Sequence, residues 1–338
     1  MSEPSRTFTA RSPVDLVAAV PYVLGFHPSE SVVLLTFGPG EAFHARVDLP
    51  REEDDQREVV TMLAEVVTRH GVGRVAVLLY TTDPWAAAAF HDVAVSEFVR
   101  RGVCVVDVLR VGDGRVHRAG DVDDPGTAYD LTTHPFTAEQ VVDGVVVESS
   151  REALAQTLDC VDAEDAAAVA AAAQAVASAA RERSALVSAV GRSEGLGDEA
   201  RWVQRTTRRH VRTGTALRAS DAGRMVALMA DIRLRDVAWA EMSRAGATGQ
   251  VQLWRDLVRR CPPDLLPGPS CLLAFAAWLA GQGALAWCAL DRCTEVDPEY
   301  SMADCIAQLL AGAVPPSVWT PIPEAELPAF WPPDLEAS

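Results

Sequence analysis

Two stretches restrict the fold more than any others: Ser31–Phe37 (SVVLLTF) and Arg74–Tyr80 (RVAVLLY), almost unbroken aliphatic runs rich in β-branched residues. A strand with one wet face alternates apolar and polar side chains. A continuous run is expected where both faces are covered. Two such strands need layers on either side of a sheet, and the intervening sequence supplies them. Ser12-Pro13 caps a short helix over Asp15–Val20. A charged segment, Arg51–Glu58, leads into a helix ending near His70-Gly71. Another follows Asp83-Pro84 and stops at Gly102. Gly38-Pro39-Gly40 turns the chain into Phe43–Leu49, whose strict alternation makes it a half-buried strand paired with the first. Val103–Val111, Gly112-Asp113-Gly114 and Arg115–Arg118 read as strand, turn and strand. Gly120–Thr133 reads as an acidic loop, Thr137 as the cap of a short helix with Gln140 at the capping-box position, and Val145–Val147 as a last strand.

From about Ser149 the pattern changes to helices. Asp162–Val190 is alanine-rich, the best helix-forming composition. Further helices are expected at Asp198–Leu217, from Ser220 to Ala245 or split near Leu234, at Gln250–Cys261, from Ser270 to Ala280, at Ala284–Val296 and at Ser301–Ala311. Prolines and aromatics then alternate to the end, which predicts an extended tail pinned by Trp319, Phe330 and Trp331. The expected organisation is an α/β N-terminal domain with a mixed sheet (1–150), an all-α C-terminal domain with a repeat-like helical hairpin (151–313) and a Pro-rich tail (314–338).

Composition excludes several activities. The chain has no lysine and no asparagine, so all thirty cationic side chains are arginine. A GC-rich bacterial genome accounts for that bias, and it removes any P-loop or Schiff-base lysine. No GxGxxG follows a strand. A net charge of −17 disfavours broad nucleic-acid binding. Seven scattered cysteines suit a reducing cytoplasm. No apolar run is long enough for a membrane span, and no h-region follows the first charges. Neither CxxC nor HExxH is present, and the acidic loop Asp121, Asp123, Asp124, Asp130 lacks the EF-hand rhythm. No metal and no cofactor is expected.

The candidate ligand site is His27, Glu30 and Ser31 at the entrance to the first strand, with Arg46 and Asp48 on the exposed face of its partner. Loop ends of a sheet are where α/β proteins bind ligands, but a rigid structural corner built from the same residues is the favoured reading. Arg201, Arg205, Arg208 and Arg212 share one helix face and form a weaker anion-binding candidate, with a solvated or ion-paired face as the alternative. Gly191–Gly195 matches G-x-S-x-G but lacks the preceding strand that a nucleophile elbow needs. Asp231 and Arg235 have the spacing of a local salt bridge. No complete catalytic set is visible. The expectation is a cytoplasmic, non-catalytic interaction or regulatory module with a protein or peptide partner on its helical domain; the alternative is a small-molecule sensor or enzyme using the His27–Asp48 corner.

Two resemblances bear on this. Ala276–Pro298 is similar to the end of a tetratricopeptide repeat, with Gly281 at the tight turn, Ala286 at the close-packing position and Pro298 at the terminal proline. One copy makes a hairpin and not an array. Over nearly its full length the chain also resembles an uncharacterised actinobacterial family, domain of unknown function 4192. The carriers are Pro21–Pro28 (PYVLGFHP) with Ser31–Val33, Arg46–Pro50 (RVDLP), Ser150-Arg151, Asp231–Asp236 (DIRLRD), Ala277–Leu279, Asp297-Pro298, Pro315-Pro316 and Trp319. In that family the Gly-Arg after the third strand leads into an aromatic, cysteine-bearing segment. Here Gly114-Arg115 is followed by Val116-His117-Arg118 instead. The resemblance implies an architecture and no activity.

Overall fold

The computed structural model describes residues 10–38, 43–142, 144–190 and 196–331. The chain divides into two compact units, one up to Ala153 and one from Leu154. In the first, β1 (Ser31–Phe37), β2 (His44–Asp48), β3 (Arg74–Tyr80), β4 (Cys104–Gly112), β5 (Arg115–Arg118) and the two-residue β6 (Thr127–Ala128) form one mixed sheet in the order β2-β1-β3-β4-β5-β6. Only β3 and β4 run parallel, because α3 (Pro84–Arg100) returns the chain between them; β1 is antiparallel to both β2 and β3.

The two aliphatic runs lie at the centre of the sheet, covered on both sides. Val32, Leu34, Val75, Val77 and Leu79 pack into one cluster with Val60 and Leu63 of α2 (Glu53–Arg69) and Phe90 and Phe98 of α3. Val33, Leu35, Ala76 and Leu78 face the other way, onto Leu16, Val17 and Val20 of α1 (Pro13–Leu24). Helix α1 outruns its predicted end by four residues, and Pro21 sits inside it. Ser12 and Asp15 close a capping box at its start, and His134 Nε2 lies 3.0 Å from Asp15 Oδ1. Burial tends to raise the Asp15 carboxyl, but hydrogen bonds from the Arg11 and Ser12 backbone and from His134 outweigh it and hold the group below its usual range.

Two expectations fail here. Thr137 is not a cap: α4 (Pro135–Val142) begins two residues earlier, with proline in its first turn. Val145–Val147 is not a strand. Val146 is 76% exposed, and only the neighbouring Glu148 makes a bridge, to Phe26. Three β-branched residues do not hold a strand without a partner edge.

The second unit is helical: α5 (Arg151–Gln156), α6 (Ala163–Val190), α7 (Leu196–Thr213), α8 (Ala219–Leu228), α9 (Ile232–Ala240), α10 (Ala247–Arg260), α11 (Pro267–Leu279), α12 (Gly283–Thr294) and α13 (Ser301–Ala311). The boundary between the units falls inside helix α5. Every residue of α11 is buried, as its all-round apolar sequence requires. Helices α6 and α8 touch at Gly223, where a Cβ would come within 2.5 Å of the Val169 carbonyl oxygen. The split near Leu234 falls at Asp231, whose carboxylate caps α9 through the Arg233 N–H. Asp231 therefore pairs with Arg233, while Arg235 bonds Asp236 and the Tyr300 hydroxyl, in place of the expected Asp231–Arg235 bridge. Neither Ser220 nor Ser270 caps a helix: α8 and α11 both begin before them, and Ser270 lies inside α11. Helices α11 and α12 meet at Gly281 (φ +74°), and Ala286 is fully buried.

The tail after Val314 is not simply extended but carries three short 3-10 turns. Trp319 stacks on Trp239 (5.4 Å between centroids) and meets Phe275 edge-on (4.7 Å); its Nε1–H donates to the Met242 carbonyl. Trp278 Nε1–H in turn donates to the Val314 carbonyl. Leu327 and Ala329 are buried.

Candidate functional site

The carboxyl ends of β3 and β4 and the start of β1 meet at one edge of the sheet. Helix α1 delivers the chain there. Gly25, left-handed at φ +81°, closes the helix by donating its N–H to the Pro21 carbonyl. The next residues are stitched to the loop after α4: His27 N–H donates to Glu148 O and Glu148 N–H to Gly25 O. Glu30 then takes φ +42°, a conformation that costs a non-glycine residue on the order of 1 kcal/mol. Its carbonyl accepts the Leu49 N–H, which fixes the corner against β2.

This corner separates the sequence-predicted residues into two groups. Ser31 is fully buried; its hydroxyl donates to the Ser29 carbonyl (2.6 Å) and accepts from Arg46 Nε (2.9 Å). Arg46 also pairs with Asp48 (2.7 Å) and lies 5.9 Å from the Phe26 ring centroid. Arg46 thus bonds both Ser31 and Asp48, and none of the three lines the cavity on the other side of the corner. His27 and Glu30 face the other way, onto a cavity of about 280 Å³.

The floor and far wall of that cavity come from residues outside the predicted set. Tyr80 and Thr81 end β3, Gly112 ends β4, and Tyr129 arrives from the loop after β6; Val17 and Pro21 of α1 supply an apolar side. Gly112 has to be glycine, because a Cβ would stand 2.6 Å from the Thr81 carbonyl oxygen. Thr81 N–H donates to Val111 O, extending the parallel ladder to the rim. The Tyr80 hydroxyl is buried and has no hydrogen-bond partner among the described residues. Burial pushes its phenol well up, and Tyr129 beside it adds to the effect; burial raises the Tyr129 phenol too. Both hydroxyls stay protonated at neutral pH and can donate.

Tyr80 could have been noticed as the one polar tip closing an aliphatic run, followed by two threonines. Tyr129 gave no such signal, because the path of its loop is set by contacts distant in sequence. Asp124 accepts the N–H groups of Arg118 and Gly126, and Tyr129 N–H donates to Gly114 O. The acidic loop is therefore shaped by its own carboxylates.

In the helical unit half of the arginine stripe is engaged. Arg208 makes two hydrogen bonds to Glu241 (2.6 and 2.7 Å), and Arg201 lies 3.8 Å from Asp198. Arg205 and Arg212 are exposed, with no ion pair among the described residues. A second cavity, of about 250 Å³, lies between Gln204, Arg208 and Glu241 and the tail residues Ile322, Glu324 and Leu327. Its polar groups bond one another, Gln204 Nε2 reaching both Glu241 and Glu324 at 3.2 Å. Gly191–Gly195 lies outside the described residues. Among the described residues no His, Cys, Asp and Glu side chains gather as a metal site, and no helix is long and apolar enough to cross a membrane.

No curated protein and no solved structure matches this chain. A family model does, over residues 13–317, from the first turn of α1 to the start of the tail and so across both units. On that match the chain belongs to the family described as Domain of unknown function (DUF4192).

Proposed function

We propose that this protein is a cytoplasmic, non-catalytic regulatory protein whose N-terminal unit binds a small polar molecule between the α1 corner and the carboxyl ends of β3 and β4. The observation that carries this reading is Tyr80, which lines a cavity of about 280 Å³ and whose hydroxyl is buried with no hydrogen-bond partner among the described residues. A buried hydroxyl without a partner costs roughly 1–3 kcal/mol, and a ligand that bonds it recovers that cost. The place is also outside the carboxyl ends of two parallel strands, β3 and β4, where open α/β sheets hold ligands. The volume suits a metabolite at the small end of the usual range.

The test is a thermal-shift screen of metabolite-sized polar compounds on the full chain, repeated on Tyr80→Phe. The reading requires compounds that raise the wild-type midpoint and leave the variant unmoved. A screen without hits, or hits that act equally on both proteins, overturns it.

A protein partner on the helical unit is the second reading. It is favoured by Trp287 of α12 and Val296 just beyond it, which are 37% and 40% exposed. It ranks second because the aromatic surface formed by Trp239 and Phe275 already carries Trp319 of the same chain.

A further inference from the structure

We infer that the ligand of the N-terminal cavity is a small organic cation, an amine that also carries a hydroxyl or comparable polar group; this rests on the binding function proposed above. The charge of the wall favours a cation. Among the described residues no arginine lines the cavity, and the chain has no lysine, so Glu30 is the only described residue there with a fixed charge.

The usual anion seat is already occupied. In α/β folds the helix that follows a strand turns its free N–H groups toward the ligand and holds phosphate or carboxylate there. Here that helix is α3, and Asp83 has taken the position. Its carboxylate accepts the N–H groups of Trp85 (2.9 Å) and Ala86 (3.1 Å). An anion arriving at this end of the sheet would meet a carboxylate where the donors should be.

The opposite wall also favours a cation. Helix α1 lines the cavity with Val17 and with Pro21 of its last turn, which contains no basic residue. The carbonyl end of a helix carries partial negative charge and favours a nearby cation. Tyr80 and Tyr129 add two aromatic rings whose faces attract cations, and hydroxyl oxygens that accept N–H donors. His27 in its neutral form offers another acceptor. Glu30 is not locked away from a ligand: its carboxylate is 54% exposed and lies 3.7 Å from Arg51, itself 83% exposed, an ion pair of the weak surface kind. The overall charge of −17 raises the local concentration of cations further.

The test compares three probes of one length that differ only in the charge of one end: aminopentanol, pentanediol and hydroxypentanoate. Each is titrated into the full chain at about pH 8, where imidazole is neutral, with the tyrosine ring resonances as readout. The expected result is that the amine binds about tenfold more tightly than the diol, with the acid weakest. Glu30→Gln should bring the amine down to the diol and leave the diol unchanged. If the diol or the acid binds as tightly as the amine, and Tyr80→Phe still abolishes that binding, the cation assignment fails while the binding function stands. If none of the three moves the Tyr80 and Tyr129 resonances, both fail.

Discussion

The two units each contain a cavity of nearly the same size, about 280 Å³ in the first and 250 Å³ in the second, and the two are chemically opposite. In the helical unit the cavity lies under the chain's own tail, and Gln204, Arg208, Glu241 and Glu324 satisfy one another across it. In the α/β unit the wall includes a tyrosine whose buried hydroxyl has no partner among the described residues, a glutamate in a left-handed conformation and a glycine that no other residue can replace. Volume alone would rank them equal. What separates them is hydrogen-bonding capacity left unused, which marks a surface built to meet something else. Trp239 Nε1 and Ser270 Oγ are also buried without partners, but neither borders the cavity in its unit.

The largest predicted effect tests the filled side of this contrast. Trp319→Ala removes a stacked and an edge-on aromatic contact and one hydrogen bond, and should destabilise the helical unit by about 3 kcal/mol in urea unfolding. It should also expose the tail to proteolysis. A loss below about 1 kcal/mol would mean the tail is not part of that unit's core.

Gly112→Ala tests the other side. Its methyl group would push the ends of β3 and β4 apart, costing about 2 kcal/mol in the N-terminal unit alone. Ligand-induced thermal shifts should vanish with it.

Asp15 ties the start of α1 to His134, so the α/β unit should be the more acid-sensitive of the two. The Asp15 carboxyl is held below its ordinary value of 3.8, so its contribution is complete above that value and is lost as the pH falls through the lower folded value. Asp15→Asn should cost about 1 kcal/mol at neutral pH and flatten that acid limb in pH-dependent unfolding. An unchanged acid limb would place the sensitivity elsewhere.

The smallest effect has an unusual sign. Tyr80→Phe removes the unpartnered hydroxyl and should stabilise the ligand-free protein by about 1 kcal/mol, while abolishing the response to ligand. A destabilised variant would show that the hydroxyl has a partner in solution.

Much of the scaffold was legible in the sequence, and the reason is physical. Burial on both faces erases alternation, so β1 and β3 announced themselves with the bounds the structure gives them. Helix caps were read less well. Thr137 and Ser270 have capping chemistry, but prolines upstream start α4 and α11 earlier and carry both hydroxyls inside. The candidate site was half legible. His27 and Glu30 belong to the corner that α1 feeds into β1, a local matter. Tyr129 reaches the cavity only through a loop folded by Asp124 and the Gly114 carbonyl, which no short-range pattern encodes. Arg46 and Asp48 looked available because strand alternation placed them outward, and the structure spends them on each other and on Ser31.

The chain has only four tyrosines, which allows binding at this cavity to be tested on one spectrum. Tyr80 and Tyr129 border the cavity; Tyr22 packs edge-on against Phe136, and Tyr300 is bonded by Arg235 in the other unit. With ¹³C-labelled tyrosine in the full-length protein, adding a compound that raises its thermal midpoint should shift Tyr80 and Tyr129 together and leave Tyr22 and Tyr300 in place. A shift confined to Tyr300, or none at Tyr80, would contradict the account.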